Sequence, residues 1–126
     1  MDVLAARNLT TGRFIATRVR VARRRLARAV GLLGQSGLAA GDGLWITPCR
    51  GVHTFGMRFA IDLIALDPSG LVVDAVERLK PWRIRLPRPG TAGVLELPAG
   101  TLEASGTKVG DRVALESRVV GRRSND

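Results

Sequence analysis

The chain is organised around residues 48–62, which read PCRGVHTFGMRFAID. This stretch holds the only cysteine, Cys49, the only histidine, His53, and two of the three phenylalanines. Directly after it comes a short apolar run, LIAL at 63–66, which stops at the turn-forming sequence DPSG at 67–70. The unusual side chains are therefore predicted to lie in a loop that leads into a buried strand, which is a common position for binding and catalytic groups.

Five blocks of sequence, in a fixed order, carry a family resemblance. They are GLLG at 31–34, VHTFGMRFAID at 52–62, PWR at 81–83, LELPAGT at 95–101 and VGD at 109–111. Through these blocks, residues 3–116 resemble the bacterial and archaeal family called domain of unknown function 192 (DUF192). Two positions depart from its pattern, since Ala60 stands for the usual proline and Ala65 for the usual bulky residue. The resemblance implies a compact single domain with much β-structure and no established activity.

Length and composition narrow the class of protein. A chain of 126 residues with 45% hydrophobic residues predicts one domain with its own core, spanning 1–119, followed by a disordered polar tail at 120–126. The single cysteine excludes an intrachain disulfide. No run of about 18 apolar residues exists, so no membrane span is predicted. The first residues lack the features of a signal peptide, which predicts a cytoplasmic location, although the resemblance implies that many relatives are exported.

The net charge of +9 raises the question of nucleic-acid binding. Eighteen of the twenty basic residues are arginine, a skew that codon bias explains as well as phosphate binding does. The basic residues are also dispersed, apart from Arg23, Arg24, Arg25 and Arg28 and the tail pair. A solvated charged surface is therefore predicted, and any binding of nucleic acid is expected to be non-specific.

The periodicity predicts an α+β fold that is mostly antiparallel, as a strongly bent sheet or small barrel of six to eight strands. One amphipathic helix, over 22–31, is expected to pack on the sheet because its apolar residues recur at steps of three and four. Strands are predicted at 3–8, 13–21, 44–47, 61–66, 71–79, 94–97 and 112–119. Residues 61–66 and 71–76 form the best hairpin candidate.

Residues 80–90 carry three prolines and are predicted to run over the surface without a regular ladder. Residues 99–105 are expected to form one or two helical turns that Gly106 ends.

Cys49, His53 and Met57 place three soft donor atoms within nine residues. Such donors suit copper(I) or zinc, but structural zinc requires four protein ligands and the chain has no second Cys/His pair. In a strand, residues 53 and 57 would lie about 13 Å apart, which is too far for one ion. No metal site and no cofactor are therefore predicted.

Cys49 and His53 could instead form a nucleophile–base dyad, in which Arg50 would stabilise the thiolate. The structural alternative treats Cys49 as a small buried hydrophobe. His53 would then hold the loop by a hydrogen bond to the backbone, and the Thr54 hydroxyl could do the same. A structural role for His53 and Thr54 is the leading interpretation.

Asp62 and Glu96 each stand between apolar residues of a predicted strand. A buried carboxylate needs a charged or hydrogen-bonding partner, and for Asp62 this could be Arg58, His53 or a backbone turn. Two carboxylates in shaped surroundings can perform acid–base chemistry, although they more often stabilise the fold.

These residues lead to three functional hypotheses. The first is a ligand-binding or accessory module, whose cleft is formed by the 49–62 loop, Trp82 and Glu96 and binds a small molecule or a protein partner. The ligand would be bound by His53, Thr54, Met57, Arg58, Asp62, Trp82, Arg83 and Glu96. The second is a small hydrolase or transferase that uses His53 with Cys49 or Asp62. The third is a non-specific nucleic-acid binder. The protein is expected to be a monomer.

Overall fold

The computed structural model describes residues 2–22, 38–49, 52–86 and 88–119. The helix predicted over 22–31 lies outside them, apart from Ala22, which ends a strand. The polar tail predicted at 120–126 also lies outside. Within the described ranges, no helix is long and apolar enough to cross a membrane.

Nine strands and one short helix make up the described part of the chain. The strands are β1 (Asp2–Asn8), β2 (Phe14–Ala22), β3 (Asp42–Ile46), β4 (Val52–His53), β5 (Ile61–Leu66), β6 (Val72–Leu79), β7 (Ile84–Arg85), β8 (Gly93–Pro98) and β9 (Val113–Val119). The helix α1 (Thr101–Ser105) lies between β8 and β9. The predicted β-rich fold is confirmed, and so is the 61–66/71–76 hairpin, which the structure forms from β5 and β6.

Seven of the strands form one curled sheet in the order β6-β5-β8-β3-β2-β1-β9. All its ladders are antiparallel except that of β2 with β3, which runs parallel from Arg18 opposite Asp42 to Ala22 opposite Ile46. The sheet is therefore mixed. A parallel neighbour requires a long crossover, and the residues between β2 and β3 are numerous enough to supply one.

The curl brings the two edge strands of the sheet together at one end. Leu71, just before β6, forms a bridge to Arg112, just before β9. Three backbone hydrogen bonds join the same segments, from Val72 N–H to Asp111, from Gly110 N–H to Val72, and from Val113 N–H to Gly70. We call this junction the seam. Because of it, the sheet is a partly closed half-barrel.

Side chains on the two faces of the sheet form separate clusters, as alternation along a strand requires. In β5, Ile64 and Leu66 belong to the first cluster, whereas Ile61, Leu63 and Ala65 belong to the second. Every residue of β5 is buried, which explains why its sequence is a continuous apolar run broken only by Asp62.

Helix α1 confirms the prediction of a helical turn that ends at Gly106. Both flanking residues, Gly100 and Gly106, have a left-handed backbone, with φ of 95° and 68°. The N–H groups of Gly100 and Leu102 donate to Oδ2 of Asp62, at 3.1 and 2.9 Å. The start of α1 is thus fixed to β5 of the main sheet.

The 80–90 segment differs from its prediction, because β7 forms a short antiparallel ladder with β4. Val52 lies opposite Arg85 and His53 lies opposite Ile84. The prolines at 81 and 89 leave room for these two pairs between them. This second sheet, of two strands, carries the loop that the sequence singles out.

Candidate functional site

Thr54 connects the central loop to the 80–86 segment. Its side chain is fully buried, and its hydroxyl donates to the Lys80 carbonyl at 2.7 Å and accepts the Arg83 N–H at 2.9 Å. The Thr54 backbone adds two bonds, from its N–H to the Arg83 carbonyl and from the Trp82 N–H to its own carbonyl. Thr54 is therefore a structural residue, as the leading interpretation of the sequence expected.

These bonds hold Trp82 in an unusual conformation. Its φ is 63°, in the left-handed region that bulky side chains rarely adopt. Backbone strain of this kind persists only where the surroundings enforce it, and it is frequent at functional sites. Here the enforced turn directs an indole into solvent, because 64% of Trp82 is exposed.

His53, Phe55 and Trp82 form a row of rings on the surface. The ring centroids of His53 and Phe55 lie 5.1 Å apart at 29°, in a stacked arrangement. Those of Phe55 and Trp82 lie 5.9 Å apart at 31°. Nδ1 of His53 accepts the Phe55 N–H at 3.3 Å, which fixes the imidazole to the loop.

The β7 segment continues this row with aliphatic side chains. Ile84 lies opposite His53 in the ladder, so both side chains project from the same face. Ile84 is 61% exposed, Leu86 is 74% exposed and Phe55 is 42% exposed. We call His53, Phe55, Trp82, Ile84 and Leu86 the outer patch.

Arg85 points the opposite way, toward the main sheet. Its Nε and Nη2 donate to the two oxygens of Asp74 on β6, at 2.9 and 2.8 Å. Asp74 is buried, and the bond from Arg85 holds the pKa of this carboxyl below its usual value. Arg88 approaches the same carboxyl at 3.7 Å. The usual polarity of a surface strand is thus inverted in β7, with arginine inward and apolar side chains outward.

Asp62 takes no part in the outer patch. It is fully buried, and its carboxylate accepts three backbone N–H groups, those of Arg78 at 2.8 Å and of Gly100 and Leu102 at the start of α1. Of the partners that the sequence left open for Asp62, the backbone turn is the one observed. Among the described residues, the polar and ring contacts of His53 are with Phe55 and not with Asp62, and its side chain is exposed.

Cys49 and Met57 are buried in the second core cluster, together with Val52. Cys49, Val52 and Met57 therefore pack in the core, whereas His53 and Phe55 of the same segment are exposed to solvent. The contacts of His53 with described residues do not include Cys49. Within the described ranges, no group of three or more His, Cys, Asp or Glu side chains could hold a metal ion.

Glu96 lies on the second face of β8, between Leu44 of β3 and Leu63 of β5. It is buried, and no described residue donates a hydrogen bond to it. Desolvation raises the pKa of this carboxyl to about 7. The sequence prediction that a buried Glu96 needs a partner is not met among the described residues, and burial favours the neutral form of this carboxyl.

The two remaining predicted ligand-binding residues, Arg58 and Arg83, are cations at the surface. Like the neighbouring Lys80, they are exposed and form no ion pair with another residue in the described ranges. The Arg83 guanidinium lies 3.4 Å from the carbonyls of Pro81 and Trp82. These cations lie in the same two sequence segments as the outer patch, and no acidic side chain of the described ranges neutralises them.

The structure thus brings together only part of the predicted site. His53, Trp82 and Arg83 lie near one another, with Thr54 beneath them, whereas Asp62, Met57 and Glu96 are core positions. Phe55, Ile84 and Leu86 were missed. The available signal was the alternation Trp-Arg-Ile-Arg-Leu over 82–86, which is the period of a strand with one apolar face.

Comparison with known proteins gives a consistent assignment. The DUF192 family model, described as an uncharacterised ACR, matches residues 6–115. A UPF0127 protein of Pyrococcus furiosus is 34% identical over 111 residues, which cover 84% of this chain and 93% of that protein. In three other archaeal UPF0127 proteins, the matched segment covers 42%, 52% and 53% of the relative's length.

Two solved structures share the fold. A Sinorhizobium meliloti protein, described as a proposed transcription regulator, has a TM-score of 0.78 at 22% identity and covers 90% of this chain and 92% of its own. A protein of unknown function from Novosphingobium aromaticivorans has a TM-score of 0.77 at 22% identity, with 89% and 83% covered. At these identities the likeness concerns the fold alone.

Proposed function

The chain belongs to the DUF192 family, and we propose that it is a binding module that engages its partner through the outer patch. One observation carries this proposal: the inverted polarity of β7, which directs Ile84 and Leu86 into solvent while Arg85 is directed inward onto Asp74. A segment that only covered the core would show the opposite arrangement.

The exposed side chains are adjacent, and this separates them from ordinary surface hydrophobics. Single exposed apolar residues are common, but a contiguous apolar patch with polar surroundings marks an interaction site. Ring stacking joins His53 to Phe55, ring contact joins Phe55 to Trp82, and ladder pairing joins His53 to Ile84. Four of the five patch residues are therefore continuous across both segments, and Leu86 follows Ile84 by two positions.

The patch is also held in place rather than formed by chance in a loose loop. Thr54 fixes the backbone on both sides of Trp82, and the two bonds between Arg85 and Asp74 fix the orientation of β7. A preformed surface loses less conformational entropy on binding than a mobile one does. This rigidity supports binding as the role of the site.

The chemistry of the patch favours binding over catalysis. Cys49 is part of the core, and the Asp62 carboxylate already accepts three backbone N–H groups. His53 therefore has neither of the partners that the hydrolase or transferase hypothesis requires. The groups that remain at the surface are aromatic and aliphatic, and these contribute contact area rather than proton transfer.

The test uses 8-anilinonaphthalene-1-sulfonate, an apolar anionic dye whose fluorescence reports an accessible apolar surface. We expect the folded protein to bind the dye, and Ile84→Ser and Leu86→Ser each to weaken binding several-fold. Phe14→Ser is the matched control, because Phe14 is 56% exposed at the start of β2, outside the patch. Equal effects of Ile84→Ser and Phe14→Ser would contradict a specific role for the outer patch.

A further inference from the structure

The two segments that carry the outer patch are rich in basic residues and contain no acidic ones. The sequence contains no Asp or Glu from 50 to 61 or from 78 to 95. In the described parts of these segments, Arg58, Lys80, Arg83 and Arg88 are exposed. Arg85 is half-buried against Asp74, and Arg88 approaches the same carboxyl at 3.7 Å. Arg58, Lys80 and Arg83 have no acidic partner in the described ranges.

We propose that the outer patch docks on the surface of a phospholipid bilayer that contains anionic lipids. Phe55, Trp82, Ile84 and Leu86 would enter the interfacial region, and the exposed cations of the same two segments would lie at the headgroups. This inference rests on the proposed function, since it names the partner of the same site. It concerns a protein that lies on the membrane and is independent of any spanning segment.

The residue types match the layers of a bilayer surface. Tryptophan is enriched at the membrane–water interface, where its amphipathic ring sits at headgroup level. Aliphatic and phenyl side chains bind by burial at the boundary with the acyl chains. Basic residues next to them are attracted by the negative potential of anionic lipids. The outer patch presents all three kinds of side chain.

Two other classes of partner fit the patch less well. The bases of a nucleic acid would stack on the aromatic rings, but they would leave the aliphatic side chains of Ile84 and Leu86 in water. Ile84, Leu86 and Trp82 are more exposed than Phe55. A peptide could add a strand to β7, but Pro81 and Pro89 lack the N–H groups that such a ladder requires, and β7 has only two residues.

The fixed geometry of Trp82 supports the same partner. Its left-handed backbone is held by Thr54, and 64% of the residue is exposed. Membrane docking requires side chains that protrude, because a bilayer deforms around them and has no fixed pockets. An aromatic residue retained in a strained conformation, and largely exposed, is consistent with insertion.

Co-sedimentation of the full chain with lipid vesicles tests this inference. We expect binding to vesicles of phosphatidylcholine with phosphatidylglycerol, and much weaker binding to phosphatidylcholine alone. Ile84→Ser and Leu86→Ser should each lower the affinity by about tenfold, the loss expected when a large aliphatic side chain no longer contributes burial. Phe14→Ser should retain wild-type affinity. In a Trp45→Phe background, in which Trp82 is the only tryptophan, its emission should shift to the blue when vesicles are added.

The outcomes separate this inference from the proposed function. Dye binding at the patch without vesicle binding would overturn the membrane inference and leave the binding module intact. Vesicle binding that is equally strong in Ile84→Ser and disappears at physiological ionic strength would also overturn it, because the net charge alone would then explain adsorption. Stronger binding to a single-stranded oligonucleotide or to an acidic peptide than to anionic vesicles, with the same dependence on Ile84, would assign the patch to that partner instead.

Discussion

Arg85 and Asp74 form a two-point ion pair across the space between β7 and β6, with donor–acceptor distances of 2.9 and 2.8 Å. This pair determines which face of β7 meets solvent. Since neighbouring residues of a strand face opposite sides, fixing Arg85 inward fixes Ile84 outward.

Asp74→Asn should lower the free energy of unfolding by about 2 kcal/mol, because a buried, charge-assisted pair loses its charge. The effect should diminish in acid, since the pKa of Asp74 is depressed and its contribution is lost as pH falls through that pKa. Chemical denaturation at neutral and acidic pH measures both. Glu116→Gln is the control, because the Arg7–Glu116 pair is more exposed and should contribute much less to stability. Equal losses at the two sites would mean that Asp74 is not a structural anchor.

Thr54→Val should destabilise the protein by roughly 1–3 kcal/mol, because it leaves the Lys80 carbonyl and the Arg83 N–H without their hydroxyl partner. It should also reduce dye binding at the outer patch, since Trp82 loses part of its support. Thr54→Ser keeps the hydroxyl and should retain dye binding. Thermal unfolding and fluorescence titration of the two variants test this, and a Thr54→Val protein with normal binding would argue against the role of Thr54 in holding Trp82.

Asp62→Asn should be far more destabilising than His53→Ala. We expect a loss of roughly 3 kcal/mol for Asp62→Asn, because an amide cannot accept three backbone N–H groups with the strength of a carboxylate. His53→Ala should cost about 0.5 kcal/mol, as substitutions at exposed positions generally do. The midpoint of urea denaturation gives both values. A large loss for His53→Ala would show that the imidazole serves mainly to hold the loop.

Glu96 should make stability depend on pH in the direction opposite to Asp74. Its pKa rises from 4.5 to about 7 on folding, so the carboxyl is protonated in both states below the lower value. As pH rises between these values, only the unfolded state ionises, and stability should fall by roughly 3 kcal/mol. Glu96→Gln should remove this fall, so the difference between the two stability curves is the measurement. Parallel curves would show that Glu96 ionises normally in the folded protein.

Gly70→Ala should disrupt the seam. Gly70 has φ of 89°, and a Cβ at this position would overlap the Val113 carbonyl oxygen. We expect a loss of roughly 3 kcal/mol from strain and clash together. Gly12 is the matched control, because its φ is 79° but nothing lies within 4 Å of its Cβ position. Gly12→Ala should cost about 1 kcal/mol, from backbone strain alone. Similar losses at both positions would mean that the seam relaxes to admit the methyl group.

The strands of the main sheet could be predicted because their signals are local. Alternation identified β2, the apolar run identified β5, and the DPSG turn identified the β5–β6 hairpin. The parallel ladder between β2 and β3 could not be predicted, since strand direction depends on the path of the connection. The β4–β7 ladder was missed because each strand has only two residues, which is too short for a period to be visible.

Of the predicted site, the structure brings together only the residues of the loop and of the 82–83 turn. The sequence drew attention to His53 and Trp82 because they are rare residues, and it expected Asp62 to need a partner. The sequence could not show whether the Asp62 carboxylate faces a cleft or binds the start of a helix. The difference lies in its hydrogen-bond donors, the backbone N–H groups of Gly100 and Leu102, which are distant in sequence. Partners far apart in sequence leave no local pattern.

The pairing of β1 with β9 has a consequence for synthesis on the ribosome. β1 can pair with β2 early, but its other neighbour is made after all the other strands of the sheet, since Asp2 lies opposite Val119 and Asn8 opposite Val113. Until residue 119 has emerged, one edge of β1 has no strand beside it, and an open edge of this kind favours association between nascent chains. Chains stalled before β9 should therefore depend on chaperones, whereas the hairpin of β5 and β6 can form as soon as it leaves the exit tunnel.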